Sequence, residues 1–260
     1  MSKYDIIGHS IYIFIIQNIQ RRTPMKKIIS SVLAFVMIAG LFALIPLPAV
    51  AADATQSTTE VGKVEAGYTP VGTAITTAEG FAAMEANGNY YLAKDIAIDA
   101  SYATAFTGVF DGNGHTVTIS VPMFTKLNGT VKNLTIEGSA SQTGTVNAIE
   151  SYVAAIARGT DKNVSVLVEN VANNATITGE YRAGGLIGQV FAGSNARLVN
   201  CVNNGTVTGT NMVGGLLGYV QGYTLEMLNC VNNGDVSIVA GKNGNCGGLV
   251  GRHGEDKAIE

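Results

Sequence analysis

Short segments in which apolar and polar residues alternate fill the chain between residues 150 and 251. Residues 197–199 and 206–208 are examples, and β-branched or aliphatic side chains dominate them. Such alternation is typical of half-buried β-strands, whereas a helix would show a period of about 3.6 residues. Gly, Asn and Asp separate the segments and favour turns. The pattern therefore predicts many short strands joined by turns.

A six-residue word rich in glycine recurs along this region. "AGGLIG", "VGGLLG" and "CGGLVG" begin at Ala183, Val213 and Cys246, and a weaker copy, "VAAIAR", begins at Val153. A strand-rich unit that recurs after about 30 residues indicates a stack of equivalent coils. We therefore predict an all-β fold, a parallel β-solenoid expected to be a right-handed β-helix. Each coil should lie about 4.8 Å above the last.

Stacking explains why the glycine words repeat, because each residue then lies above its equivalent in the next coil. The leucine of each word should form an inward aliphatic ladder. The glycine before it should permit either a positive φ or a close approach of two backbones. The predicted ladders are Leu186, Leu216 and Leu249, and Gly185, Gly215 and Gly248.

A second set of words is rich in asparagine. "ENVANNATITG", "VNCVNNGTVTG" and "LNCVNNGDVSI" keep nearly the same period. We predict that their paired asparagines are turn residues, because Asn tolerates the left-handed conformation and bonds its own backbone. Their amides should also bond from coil to coil. These residues are Asn203, Asn204, Asn232 and Asn233.

Three cysteines follow the same register. Cys201 and Cys230 occupy identical words, so stacking places them in neighbouring coils, and Cys246 occupies the position of Val213. An odd number does not suit a closed disulfide framework. All three are expected to be small buried apolar residues. A disulfide between Cys201 and Cys230 is left open.

The segment before the repeats predicts a cap. Thr77 is a plausible N-cap for a short helix over Ala78–Ala86, with Phe81 and Met84 on one side, and an Asn-Gly pair ends it. A strand is expected over Tyr90–Ile98. A helix there would cover the apolar end of the first coil.

The beginning of the chain predicts export. Residues 25–52 combine a basic start, a long apolar run and small residues before Ala51 and Ala52, which is the pattern of a cleaved signal peptide. An uncleaved membrane anchor is the alternative, because the apolar run is long. Residues 1–24 are interpreted as an upstream extension. Membrane association is expected only through this signal segment.

The remaining chain divides by pattern. Residues 53–76 are expected to be a linker, 77–138 the N-terminal cap and first coils, and 139–260 the repeats. The chain stops just after a glycine word, so we expect the natural protein to continue beyond Glu260. An uncapped last coil would favour end-to-end association.

Composition narrows the function. The chain has 32 Gly and no Trp, and 47% of its residues are hydrophobic, so a large aromatic core is not expected. Residues 53–260 carry a net charge near −7 and contain no basic stripe, which argues against nucleic acid as a partner. An acidic, exported chain should act outside the cell.

Candidate chemistry is sparse. Lys94, Asp95, Asp99, Asp111 and His115 are the one local gathering of titratable residues before the repeats. Their spacing matches no known catalytic arrangement, and Asp111 and His115 beside the turn glycines lack the second carboxylate of a hydrolase and the third ligand of a zinc site. We therefore predict no catalytic, cofactor-binding or metal-binding residue, and no cofactor.

Tyrosines near the glycine words offer another role. Tyr181, Tyr219 and Tyr223 could form a platform on which sugar rings stack, although partial packing at corners also explains them. The sequence assigns no binding site to them.

The glycine and asparagine words together resemble the GLUG repeat of bacterial secreted and cell-surface proteins, some of which are immunoglobulin A peptidases. The resemblance covers roughly residues 150–251 and implies an extracellular β-solenoid accessory region with no catalytic residues. It predicts a non-catalytic adhesin, spacer or glycan-binding module, with extracellular glycans or host surface proteins as partners. A polysaccharide lyase or hydrolase, and an accessory region of a larger peptidase, are the alternatives.

Overall fold

The computed structural model describes residues 59–143 and 148–254. The predicted signal peptide and upstream extension lie outside these residues. The described chain is a parallel β-solenoid, as predicted, and belongs to one compact unit. None of its helices has the length and apolar character needed to cross a membrane.

The described residues form short strands, one α-helix and one 3-10 helix. In chain order they are β1 (Thr73–Ile75), α1 (Ala78–Ala82), β2 (Asn89–Leu92), β3 (Ile96–Ile98), β4 (Tyr102–Phe106), β5 (Val109–Asp111), β6 (Thr116–Ile119), β7 (Phe124–Leu127), β8 (Thr130–Gln142), the 3-10 helix (Ile149–Ser151), β9 (Tyr152–Val153), β10 (Ala157–Gly159), β11 (Ser165–Asn173), β12 (Thr176–Gly179), β13 (Arg182–Gly184), β14 (Ile187–Val190), β15 (Asn195–Val199), β16 (Val202–Asn203), β17 (Val207–Gly209), β18 (Val213–Gly214), β19 (Leu217–Val220), β20 (Thr224–Leu228), β21 (Val231–Asn232), β22 (Val236–Ile238), β23 (Cys246–Gly247) and β24 (Val250–His253).

The strands of the described ranges form three parallel sheets that run along the solenoid. The first has 14 strands and contains the path β1-β2-β5-β8-β11-β15-β20. The second has the order β24-β19-β14-β10-β7-β4, and the third has the order β23-β18-β13-β9. The described strand pairs are all parallel. Successive strands of each sheet therefore belong to successive coils.

The repeat register is confirmed. The backbone N–H of Leu186 donates to the carbonyl of Leu216 at 2.8 Å, and that of Leu216 donates to Leu249 at 2.9 Å. Ile156, in the weaker word, donates to Leu186 at 3.1 Å. Ile156, Leu186 and Leu216 are fully buried, whereas Leu249 is 37% exposed because no described coil covers it.

The glycines of the words allow two backbones to approach, and they do not adopt a positive φ. A Cβ on Gly185 would collide with the carbonyl oxygen of Gly215, and a Cβ on Gly215 would collide with that of Gly248. Of the two explanations predicted for these glycines, the close approach is therefore the correct one.

The asparagine prediction was partly wrong. Asn203 donates its side-chain amide to Asn232 Oδ1 at 2.7 Å and to the backbone carbonyl of Gly205 at 2.8 Å, which confirms the ladder and the local bond. Asn233 likewise donates to Asn204 at 2.9 Å. However, none of the four predicted residues is left-handed. The left-handed conformation belongs to other asparagines at the bends: Asn133, Asn170, Asn200 and Asn229.

The N-terminal coils contain an aromatic cluster that composition did not predict. Phe81, Tyr102, Phe106, Phe110 and Phe124 are buried, with ring centroids 5.1–6.3 Å apart. The coils here do not follow the glycine words, so larger side chains fill the interior. The expectation that a large aromatic core would be absent is therefore wrong for this end of the solenoid.

The predicted helix is present and shorter than expected. It covers Ala78–Ala82, and Thr77 caps it by accepting a hydrogen bond from the Gly80 N–H at 3.1 Å. Phe81 inserts into the aromatic cluster, so the helix covers this end of the interior. The strand expected over Tyr90–Ile98 is divided into β2 and β3 by a bend.

The described part of the expected linker lies against the solenoid. The Gly62 N–H donates to Asn170 Oδ1 at 2.9 Å, and the Tyr68 hydroxyl donates to the buried carboxylate of Asp111 at 2.5 Å. Strand β1 then pairs with β2. Residues 59–76 are therefore part of the folded unit.

The cysteines stack as predicted but differ in burial. Val199 pairs with Leu228 and Val202 with Val231, which places Cys201 and Cys230 in neighbouring coils. Cys201 is buried, Cys230 is half-buried and Cys246 is exposed, and all three are free thiols. The expectation of burial is wrong for Cys246, because it lies in the last described coil.

Candidate functional site

A groove lies along the outer face of the second sheet, and the letter that follows each glycine word builds one wall of it. Strand pairing aligns these positions from coil to coil. In stacking order they are Gly159, Gln189, Tyr219 and Arg252, and Lys126 of β7 occupies the equivalent position in the preceding coil. The inward-facing residues are similar from coil to coil because they fill a uniform interior, whereas these outward-facing residues differ.

The neighbouring third sheet supplies the facing wall. Tyr152 of β9 pairs with Arg182 of β13, and Met212 precedes β18 at the equivalent position. The half-buried rings of Tyr181 and Phe191 complete this wall. The cavity between the two walls is open to solvent and has a volume of about 770 Å³. We call this cavity the tyrosine groove, and its aromatic side chains are Tyr152, Tyr181, Phe191 and Tyr219.

Arg182 lies at the centre of the groove and is 4% exposed. Its guanidinium carbon lies 4.6 Å from the ring centroids of Tyr152 and Tyr219, and 5.2 Å from that of Tyr181. Its Nη1 donates to the Tyr152 hydroxyl at 3.0 Å. Its Nε is buried and has no hydrogen-bond partner. The rings therefore stabilise the cation without neutralising it.

Gln189 is the second unusual residue of the groove. It is 1% exposed, and its Nε2 donates to Gln221 Oε1 at 2.8 Å. Its Oε1 is buried and accepts no hydrogen bond. Arg182 Nε and Gln189 Oε1 are the two orphaned buried side-chain atoms among the described residues. A buried polar atom without a partner costs about 1–3 kcal/mol, so these two atoms, one on each wall of the groove, favour a ligand that bonds both.

Burial also affects the tyrosine that bonds Arg182. Desolvation raises the pKa of Tyr152 above its ordinary value, although the nearby charge of Arg182 opposes the rise. The Tyr152 hydroxyl therefore stays protonated at neutral pH, which makes it a neutral partner of the cation and not a counter-ion.

Asp161 is the one carboxylate among the described residues that line the groove. It accepts hydrogen bonds from Lys126 Nζ at 2.6 Å and from Asn128 Nδ2 at 2.8 Å, and these bonds lower its pKa. It therefore stays ionised at neutral pH and is a poor proton donor. The groove is better suited to binding than to acid–base chemistry.

A backbone outlier marks the same wall. Met212 has φ 53°, a left-handed conformation that is uncommon for a residue with a long side chain, and it is 6% exposed. Such conformations are found more often at functional sites than elsewhere. Met212 occupies the position equivalent to Arg182, where the wall changes from charged to apolar.

The three tyrosines singled out in the sequence do not form one platform. Tyr181 and Tyr219 both contact Arg182 and line the groove. Tyr223 is 80% exposed and does not line it. Sequence reasoning did not find Tyr152, Arg182 or Gln189. For Gln189 the available signal was its position directly after a glycine word.

Of the five titratable residues gathered before the repeats, Asp95, Asp111 and His115 take part in two separate networks. Asp111 is 1% exposed and accepts hydrogen bonds from Tyr68, the Asn113 backbone and Asn133 Nδ2, and Lys132 Nζ lies 3.4 Å away. The carboxylate therefore fixes the segment around Tyr68 to the solenoid.

Asp95 lies apart from this network. Its Oδ1 lies 3.1 Å from His115 Nδ1 and accepts the Thr116 N–H at 2.9 Å, and this backbone bond is the main reason for its lowered pKa. Neither network contains three metal-ligating side chains, and the described chain as a whole has no such cluster.

No protein-family model matches the chain, and no curated protein matches it significantly. A solved structure is similar: the 1.30 Å crystal structure of a candidate immunoglobulin A1 protease from Bacteroides ovatus, with a TM-score of 0.53 and 22% sequence identity. The match covers 72% of this chain and 64% of that one, so this chain spans less than two thirds of the neighbour's length. At this identity the likeness shows the fold.

Proposed function

We propose that this chain is a non-catalytic β-solenoid binding module of a bacterial extracellular protein, and that the tyrosine groove binds glycans. The observation that carries the proposal is the groove itself, where aromatic side chains surround a buried Arg182 and two polar atoms lack partners. Aromatic faces and a few buried polar groups are what a sugar-binding site uses.

The wider context supports this proposal. The glycine and asparagine words resemble the GLUG repeat, and the signal peptide predicted over residues 25–52 directs the chain outside the cell. The structural neighbour is a candidate immunoglobulin A1 protease. An accessory region that places a larger secreted peptidase or adhesin on a glycan-bearing surface fits these observations together.

The test is a glycan array probed with the purified, fluorescently labelled chain. We expect saturable binding to a subset of glycans. A Tyr181→Ala variant should lose most of it, because Tyr181 is a half-buried ring of the groove wall. Tyr223→Ala is the matched control, since that ring is 80% exposed outside the groove. Equal loss in both variants, or binding to no glycan, would contradict the proposal.

The enzymatic alternative has its own test. Each glycan that binds is incubated with the chain, and new reducing ends and unsaturated products are measured. We expect neither, since Asp161 is held as a carboxylate by Lys126 and Asn128. Turnover that Asp161→Asn abolishes would replace the binding proposal with a lyase or hydrolase.

A further inference from the structure

Arg182 is a buried cation that has no counter-ion among the residues that the structure describes. The four ion pairs of the described residues do not include it, and no described carboxylate lies within 4.0 Å of its side-chain nitrogens. Buried charges in folded proteins are almost always paired, because an isolated ion loses its hydration. The rings around Arg182 and the neutral Tyr152 hydroxyl replace only part of that hydration.

The groove as a whole is positive in an acidic protein. Lys126 and Asp161 neutralise each other, which leaves Lys162, Arg182 and Arg252 without carboxylate partners among the described residues. Residues 53–260 nevertheless carry a net charge near −7. A local positive potential on an acidic surface favours an anionic ligand.

The two buried side-chain atoms without hydrogen-bond partners further restrict the chemical class of the ligand. Arg182 Nε is a charged donor that needs an acceptor, and Gln189 Oε1 is an acceptor that needs a donor. An inorganic anion without a hydroxyl group, such as sulfate, would satisfy the first atom only. A neutral sugar would satisfy the second and leave the charge of Arg182 unpaired. A sugar acid offers a carboxylate and hydroxyl groups on one ring.

We infer that the tyrosine groove binds an acidic saccharide, whose carboxylate serves as the missing counter-ion of Arg182 while a hydroxyl donates to Gln189. This inference rests on the proposed function and names the class of glycan. Tyr181 and Phe191, the half-buried rings, provide faces for the sugar ring. Arg252, exposed and 5.6 Å from the Tyr219 ring, extends the positive surface to the next coil.

The test compares two probes that differ only in charge. Cellohexaose and its fully C6-oxidised form, a hexamer of β-1,4-linked glucuronate, share ring and linkage. Titration calorimetry with the full chain should give at least tenfold tighter binding for the glucuronate hexamer. Its affinity should fall several-fold between 50 and 300 mM salt. A hexaglutamate peptide, which carries carboxylates without sugar rings, should bind at least tenfold more weakly.

Two variants distinguish a specific contact with Arg182 from a general effect of positive charge on affinity. Arg182→Met keeps an unbranched apolar stem, and its folding is checked by thermal unfolding without ligand. Removing an unpaired buried charge should leave the melting temperature unchanged or raise it. Affinity for the glucuronate hexamer should fall at least tenfold, and preference over cellohexaose should disappear. Arg197→Ala is the matched control, because Arg197 pairs with Glu226 on the first sheet, and it should change affinity less than twofold.

The outcomes are distinct. Equal binding of cellohexaose and its oxidised form would overturn the inference and leave the glycan-binding proposal standing. Tighter binding of hexaglutamate than of either sugar would identify an acidic peptide as the ligand and overturn it. If Arg182→Met folds and keeps full preference for glucuronate, Arg182 is not the site of the carboxylate and the inference fails. Failure of the whole glycan array would overturn the proposed function as well.

Discussion

Replacing Gly215 with alanine should disrupt the stack, whereas the same change at Gly248 should not. An added Cβ on Gly215 would collide with the Gly248 carbonyl oxygen and lie 2.7 Å from Nδ2 of Asn232, inside the 3.0 Å that real Cβ atoms keep. Neither neighbour can move freely, because the carbonyls on either side of Gly248 accept hydrogen bonds from Gly215 and Leu216, and Asn232 accepts from Asn203. A Cβ on Gly248 meets no atom within 4 Å.

The magnitudes follow from these contacts. Overpacking costs about 1–3 kcal/mol, and loss of the Asn203–Asn232 bond adds about 1 kcal/mol, so Gly215→Ala should lower the free energy of unfolding by about 2–4 kcal/mol. Gly248→Ala should stabilise the chain by about 0.4–1 kcal/mol, because alanine restricts the unfolded state.

Urea unfolding followed by far-UV circular dichroism measures both variants. With a slope of about 2 kcal/mol per molar urea, the two midpoints should differ by more than about 1 M. If both variants unfold within 0.2 M of the original chain, the glycines do not separate stacked backbones and the explanation of the repeated words is wrong.

Three other outcomes are expected. Leu186→Ala should lower the free energy of unfolding by about 2–5 kcal/mol and Leu249→Ala by less than half of that, measured by urea unfolding, because Leu186 is fully buried and Leu249 is 37% exposed; equal losses would contradict the register. Cys230, whose pKa is lowered to about 7 mainly by a hydrogen bond with Cys201, should react with iodoacetamide along a curve with its midpoint near pH 7, as followed by peptide mass spectrometry, and a midpoint above 8.5 would contradict that pairing. The stability advantage of the original chain over Asp161→Asn should be complete above pH 5 and disappear as the pH falls through the lowered pKa, below 3.8; urea midpoints at several pH values measure it, and an advantage independent of pH would exclude the Lys126 pairing as its cause.

The sequence predicted the stack well, because equivalent positions of successive coils carry similar residues and therefore appear as repeated words. The words at Ala183, Val213 and Cys246 pair in the structure as their alignment required. The aromatic cluster around Phe81 was not predicted, because the coils that contain it lack the words. The pairing of Tyr90 with Phe110 shows that these coils are only 20 residues long.

The groove was harder to predict for the same reason. Its outward-facing residues, such as Gln189 and Tyr219, are not conserved between repeats, so a search for internal repeats does not detect them. The burial of Arg182 depends on rings contributed by three coils, which one repeat considered alone cannot indicate. The left-handed asparagines were misassigned because every asparagine of a word is suited to a turn by type, and only the path of the chain decides which one takes it.

Stacking of equivalent coils determines both the interior and the groove, and paired cysteines test it directly. Thr208 and Ser237 are partners in neighbouring coils, with their side-chain oxygens 3.1 Å apart, while Thr178 lies one coil further from Ser237. In a chain with its three native cysteines changed to alanine, mild oxidation of Thr208→Cys/Ser237→Cys should consume both thiols, because stacked strands are about 4.8 Å apart and disulfides need Cα atoms about 4.4–6.8 Å apart. Thr178→Cys/Ser237→Cys, about 9.6 Å apart by the same spacing, should keep both thiols free by intact-protein mass spectrometry. Efficient closure of the second pair, or none of the first, would contradict the stacked register and the groove that depends on it.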